Sequence, residues 1–399
     1  MTGILIKGGR VVDPASRLDS LRDLRLRGGT IVEIGEHLAP VSDEEIIDAA
    51  GAIVAPGFID MHVHLREPGF PQKETIATGT EAAVRGGFTA VACMPNTDPA
   101  LDAPEVLRGL MQDVERHARC RVYPIGAITR GRRGVQPCDF AVLVSAGAVA
   151  FSDDGDTVAD AAVLRQAALD ARDLKSPLIE HCDPEEKIVA RDLEIAAQTG
   201  KQWHIAHVST ADALDSIRRA RARGVHVTCE ATPHHLTFTD ALLQQIGPPA
   251  TVCPPLRAQA DVDALRRAVR DGTIDAFASD HAPHTRAEKL GQDGPAAPGF
   301  SGLEIAVGAY AAALPDLALL RFVELLSTNP ARILRVSGGT LAVGAPADVT
   351  IFAQRTWTVD PATFASKGRC TPFAGRRLPR SVIATIVNGT VRFRAPQAA

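Results

Sequence analysis

The chain has 399 residues, 45% of them hydrophobic and 23% charged, with a formal net charge of −4. That composition suits a globular protein with a large core and argues against binding nucleic acid or an anionic membrane. No apolar run approaches the about 20 residues of a membrane span. The first residues lack the charged-then-apolar order of a signal peptide, and seven cysteines without a CxxC pair point to a reducing cytoplasm.

Residues 1–52 read as short strands at 4–6, 10–12, 23–26 and 30–32, separated by Gly8-Gly9, Asp13-Pro14 and Gly28-Gly29. They carry no chemical cluster. From Ile53 to about Arg335 apolar strands alternate with stretches of helical period. Strands are predicted at 54–65, 89–94, 121–128, 148–152, 177–180, 202–208, 226–232 and 276–279. Helices are predicted at 75–85, 105–119, 159–171, 185–198, 211–222 and 262–270. Eight such units predict an α/β fold, a closed (β/α)8 TIM-like barrel. After Arg335 short strands return at 348–352 and 382–390. The two ends therefore predict one small β-sandwich domain beside the barrel, dividing the chain into 1–52, 53–335 and 336–399. Fraying is expected from Arg394 to the end.

In such a barrel the chemistry gathers at the carboxyl ends of the strands. The first predicted strand ends in His62 and His64, two apart and so on one face, and Arg66 shares their parity. The second ends in Asn96, the fourth in Asp153-Asp154, the fifth in His181 and the eighth in Asp280-His281-Ala282-Pro283-His284; the sixth carries His204 and His207. Four imidazoles and two carboxylates exceed what one tetrahedral zinc needs. They suit two metals about 3.5–4 Å apart, bridged by a carboxylate and a hydroxide. A carboxylate on the last strand then serves as general base and acid, as hydrolysis of a cyclic amide and its reversal require. Cys182 lacks a base and oxyanion donors of its own and reads as packing. His204, three residues before His207, falls on the opposite face. His234 and His235 read as structural support, and Arg130-Gly131-Arg132-Arg133 as a solvated loop. Residues 285–300, rich in Gly, Pro and Ala, read as a mobile lid.

The sequence resembles the amidohydrolase superfamily and, within it, the dihydroorotases of the longer bacterial type. The likeness spans nearly the whole chain. It rests on Asp60-Met61-His62-Val63-His64-Leu65-Arg66-Glu67-Pro68-Gly69, Met94-Pro95-Asn96-Thr97, Phe151-Ser152-Asp153-Asp154-Gly155, Thr232-Pro233-His234-His235, Pro254-Pro255-Leu256-Arg257 and Asp280-His281-Ala282-Pro283-His284, in that order. The resemblance implies that His62 and His64 bind one zinc, His181 and His207 a second, and Asp154 bridges them. It implies that Asp280 is both metal ligand and catalytic base. Arg66, Asn96 and His284, with Cys253, Pro298 and Gly299, would bind substrate. The implied reaction interconverts N-carbamoyl-L-aspartate and dihydroorotate in pyrimidine synthesis. A homodimer and an aspartate transcarbamoylase partner belong to the same expectation. Two departures stand out: Cys253 occupies a position where the family has asparagine, and the stretch after His181 is short. The alternatives are a non-catalytic scaffold subunit, which would lack metal ligands, and a hydantoinase or allantoinase, usually bridged by lysine.

Overall fold

The structure, a computed structural model, describes residues 3–292 and 294–396. Gly3–Asp13 opens it as one continuous strand rather than two short ones. Gly8 takes a φ of 71°, and the register against Leu18–Arg27 slips between Ile6 and Gly9. The Gly-Gly pair therefore makes a bulge inside a strand instead of ending it. Both ends of the chain build one mixed sheet. Its order is Thr390–Arg394, Ser381–Val387, Val349–Ala353, Ile53–Pro56, Gly3–Asp13, Leu18–Arg27 and Thr30–Gly35, with Glu44–Asp48 also paired to Gly3–Asp13. Ile6, Val11, Leu24, Val54, Ile351 and Ile386 form its apolar core. Arg394 is not frayed, since it pairs with Ala384; residues 397–399 lie outside those described.

The strand predicted at 54–65 is two strands. Ile53–Pro56 belongs to the terminal sheet and Phe58–Val63 to the barrel. Gly57 makes the crossing because nothing larger fits: a Cβ there would lie 2.1 Å from Thr89 Oγ1 on the second barrel strand. Gly57→Ala is expected to destabilise the protein by about 1–3 kcal/mol through overpacking, seen as a lower denaturation midpoint. An unchanged midpoint would mean that Thr89 moves aside freely.

The barrel strands run Phe58–Val63, Phe88–Cys93, Arg121–Gly126, Ala150–Phe151, Leu178–Glu180, Trp203–Ile205, Val227–Ala231 and Ala276–Phe277, each paired in parallel with the next. A bridge between Val63 and His281 closes the ring, with His64 N donating to His281 O at 2.8 Å. Ile59, Ala90, Ala92, Ile125, Ala150, Ile179 and Ala276 come from six different strands and meet in one cluster, the barrel interior. Small alanines leave room there, and Ala331, Ile333 and Leu334 of the helix Asn329–Leu334 fill it. All six predicted helices are present. Helices Phe140–Ser145 and Ala306–Ala313 were not foreseen. The second is buried on almost every side, so its sequence shows no amphipathic period. Among the described residues no helix is long and apolar enough to cross a membrane.

Candidate metal centre

After the fourth barrel strand the chain reaches Asp153 and Asp154, then turns at Gly155 with φ 86°. Asp153 accepts from Ile128 N at 2.9 Å, from Thr129 N at 3.1 Å and from the Thr129 hydroxyl. With Asp153 tied to the loop that follows the third barrel strand, Asp154 faces the barrel mouth. Its Oδ1 lies 3.3 Å from His62 Nε2, 3.4 Å from His207 Nε2 and 3.6 Å from His181 Nδ1. Its Oδ2 lies 3.5 Å from His64 Nε2. Asp280, just past the last strand, places Oδ1 3.4 Å from His64 Nε2 and 3.6 Å from His62 Nε2. All six side chains are buried.

Burial works against the charge on Asp154, but the imidazoles of His62, His181 and His207 outweigh it and hold the carboxyl well below its usual range. Asp280 is likewise kept ionised against burial by His64, His62 and His207. Burial pushes His181 down, while Asp154 and Cys253 raise it to about 10. The site thus sets imidazoles against buried carboxylates at close range. At its centre His62 Nε2 and Asp154 Oδ1 are both buried with no hydrogen-bond partner. The candidate ligand atoms of His62, His64 and Asp280 lie within 4.8 Å of one another, as do those of His62, Asp154 and His207. Imidazole nitrogens and carboxylate oxygens at that spacing fit a divalent cation of the zinc kind.

Three of the four imidazoles are braced through their other ring nitrogen. His62 Nδ1 lies 2.8 Å from Glu230 Oε1, His64 Nδ1 lies 2.8 Å from Asn96 Oδ1, and His181 Nε2 lies 3.6 Å from Cys253 Sγ. Glu230 was missed in the sequence. Its signal was a lone acid inside the apolar strand Val227–Ala231. His204 is not turned away from the site as alternation predicts. Its Nε2 lies 3.2 Å from Glu230 Oε2. The sixth strand stops at Ile205 and His207 takes a φ of 32°, so parity does not carry across. Arg66, at φ 63°, and Asp280, at φ 49°, also sit in the left-handed region that non-glycine residues rarely occupy.

Arg66, Asn96, Cys253, His284, Pro298 and Gly299 line a cavity of about 230 Å³ that also touches Asp154 and Asp280. Arg66 Nε donates to Pro283 O at 3.1 Å, and burial lowers the guanidinium pKa to about 10. His284 Nε2 donates to Pro298 O at 2.8 Å. His234 and His235 are buried outside this lining; His235 bonds Thr232 and Pro254, while His234 has no partner on either nitrogen among the described residues. Arg132 is not a free solvated side chain, because its Nη2 donates to Asp154 O at 2.8 Å and to Asp156 Oδ2 at 2.6 Å. Within 285–300 a short helix, Arg286–Lys289, is pinned by Lys289 Nζ donating to Thr251 O at 2.6 Å and Ala297 O at 3.1 Å. Asp293 of that stretch lies outside the described residues. The helix Glu185–Thr199 follows His181 after only Cys182, Asp183 and Pro184.

A closed parallel barrel whose strand ends gather four histidines and two aspartates defines a metal-dependent cyclic amidohydrolase. The comparisons agree. The Amidohydrolase family matches residues 53–392. Dihydroorotase of Pelotomaculum thermopropionicum is 45% identical over 419 aligned residues, covering 97% of this chain and 98% of the relative. That of Syntrophus aciditrophicus is 42% identical over 422, covering 98% and 99%. Among solved structures, an L-hydantoinase (dihydropyrimidinase) from Arthrobacter aurescens superposes with a TM-score of 0.88 at 23% identity, over 98% of this chain and 96% of the other. Dihydropyrimidinase from Brevibacillus agri gives 0.87 at 23%, over 98% and 95%. At that identity these structures share the fold. The chain belongs to the amidohydrolase family and, within it, to the dihydroorotases.

Proposed function

We propose that the chain catalyses the reversible cyclisation of N-carbamoyl-L-aspartate to (S)-dihydroorotate in de novo pyrimidine synthesis, with two zinc ions per subunit. The observation that carries this reading is the unpartnered Asp154 Oδ1, set among His62, His181 and His207 at a barrel mouth. His62 and His64 would hold one cation and His181 and His207 the other, with the Asp154 carboxylate set between the two pairs. Asp280 sits on the His62–His64 side. Bound divalent cations supply Lewis acidity, which acidifies a water and polarises an amide carbonyl. In ring opening Asp280 takes a proton from the attacking water and returns it to the leaving amide nitrogen; ring closure reverses the order. Arg66, Asn96 and His284 hold the carboxylate that stays outside the ring, with Cys253, Pro298 and Gly299 shaping the wall around it. The fixed fork of Arg66 suits two-point binding of that group.

The deciding experiment is a metal count paired with carbamoyl-aspartate and dihydroorotate assays on one sample. About two zinc ions and turnover of both compounds are expected. Bound zinc with turnover of hydantoin or allantoin instead would sink the substrate assignment, and an empty, inactive protein would point to a scaffold. Arg66→Lys tests the carboxylate contact. Losing a charge-assisted fork costs about 1.5–3 kcal/mol, so KM should rise roughly tenfold to a hundredfold with a smaller change in kcat. A fall in kcat alone would place Arg66 elsewhere in the reaction. The same reading places the enzyme in the cytoplasm, supported by seven cysteines that are all free. It also includes a homodimer and an aspartate transcarbamoylase partner, both to be read by sedimentation with and without that enzyme.

A further inference from the structure

Asp280 works from a strained place. Its φ of 49° lies in the left-handed region, which a residue other than glycine keeps only when its surroundings fix it. The next residue, His281, is fully buried and held on every side. Its N donates to Ser279 Oγ at 3.1 Å, and its O accepts from His64 N at 2.8 Å. Its ring is engaged at both nitrogens. Nδ1 accepts from Gly302 N at 3.1 Å, so the ring proton sits on Nε2, which donates to Glu74 Oε2 at 3.2 Å.

Glu74 is also fully buried, between the first barrel strand and helix Ile76–Arg85. The proton path assigned above does not use it. Its Oε2 accepts from the Ser366 hydroxyl as well, and its Oε1 from the Thr78 hydroxyl and from Thr75 N and Lys367 N, both at 3.2 Å. Burial opposes the charge on Glu74, but hydrogen bonds from His281, Ser366 and Thr78 keep its carboxyl below the usual range. Of the donors that converge on this carboxylate, His281 alone leads back to the metal centre.

We propose that Glu74 is a positioning residue for Asp280, acting through the His281 ring. The inference rests on the reaction proposed above, in which Asp280 carries the proton. Were Glu74 only a tie between the 366–367 segment and the first helix, its loss would cost stability and leave proton transfer alone. Glu74→Gln separates the two, because an amide accepts on one side and donates on the other. With its NH2 toward Oε1's partners it would face two backbone donors, Thr75 N and Lys367 N. Turned the other way it faces His281 Nε2–H and a Ser366 hydroxyl that can rotate. The second orientation leaves one N–H unpaired rather than two, so it is the one adopted, and His281 loses its anchor.

Zinc-loaded Glu74→Gln is expected to show kcat per bound zinc roughly tenfold to a hundredfold below wild type, the scale of a misplacement of about 1 Å, with KM within about threefold. His281→Asn keeps an acceptor for Gly302 N and removes the link to Glu74. It should lose kcat to a similar extent, and the double variant should fall no further than the deeper single, since the two side chains act as one unit. In crystals, the Asp280 carboxylate of zinc-loaded Glu74→Gln should be displaced from its wild-type position by more than about 0.5 Å, the tolerance of a productive site. This measurement needs no turnover. It decides the inference even if the wild type converts neither carbamoyl-aspartate nor dihydroorotate, a result that would count against the proposed activity alone. An unmoved carboxylate, a kcat within about twofold of wild type beside a lowered denaturation midpoint, or losses that multiply in the double variant would each overturn the assignment.

Discussion

Asp280→Asn is expected to lower kcat for both directions of the reaction by roughly 10²–10⁴-fold, the usual share of a positioned general acid–base, while the fold survives. The expectation rests on position and charge. Asp280 Oδ1 lies within 3.4–3.6 Å of the two imidazoles of the first strand, and those imidazoles keep it ionised against complete burial. Asparagine preserves the shape and one oxygen, so cation content should fall far less than turnover. Circular dichroism and a metal count on the same sample separate the two effects. Unchanged turnover would remove Asp280 from the proton path. A loss of metal equal to the loss of rate would leave it a ligand only.

Glu230→Gln should weaken zinc affinity about 10–100-fold, the range for a lost outer partner of a ligating histidine. Glu230 Oε1 meets His62 Nδ1 at 2.8 Å and His207 N at 3.2 Å, while Oε2 meets His204 Nε2 at 3.2 Å. The carboxylate accepts on both oxygens, and the imidazoles hold its pKa near 2 even though burial alone would raise it. An amide offers only one accepting oxygen, so one buried ring N–H is left unpaired and His62 loses its fixed tautomer. Competition with a chelator reads the dissociation constant. Zinc affinity equal to wild type, with a lowered denaturation midpoint, would make Glu230 a packing residue and no more.

Much of the architecture was legible before any coordinates, because it depends on patterns a few residues long. Alternation of apolar strands with helical period marks eight parallel strands wherever it recurs, and all eight are present within a few residues of their expected limits. The clustering of His62, His64, Asn96, the Asp153-Asp154 pair, His181, His207, Asp280 and His284 at strand ends followed from the barrel rule plus residue chemistry, and the choice of Asp154 within its pair from the family resemblance. Of the pair Asp154 lies at the one mouth, as does each of the other side chains. Helix Ala306–Ala313 stayed hidden because a helix buried all round carries no polar stripe for periodicity to detect.

Other features required the folded molecule. Glu230 meets His62 across 168 residues of chain, a pairing that no local pattern encodes. The split at Gly57 comes from Thr89 pressing on the backbone from the neighbouring strand. The left-handed φ values of Arg66, His207 and Asp280 break the alternation on which any facing argument depends. Hydrophobic period and turn chemistry act between near neighbours and so are written along the chain. Which distant donor meets which acceptor is set by how closed layers pack, and only the assembled barrel settles that.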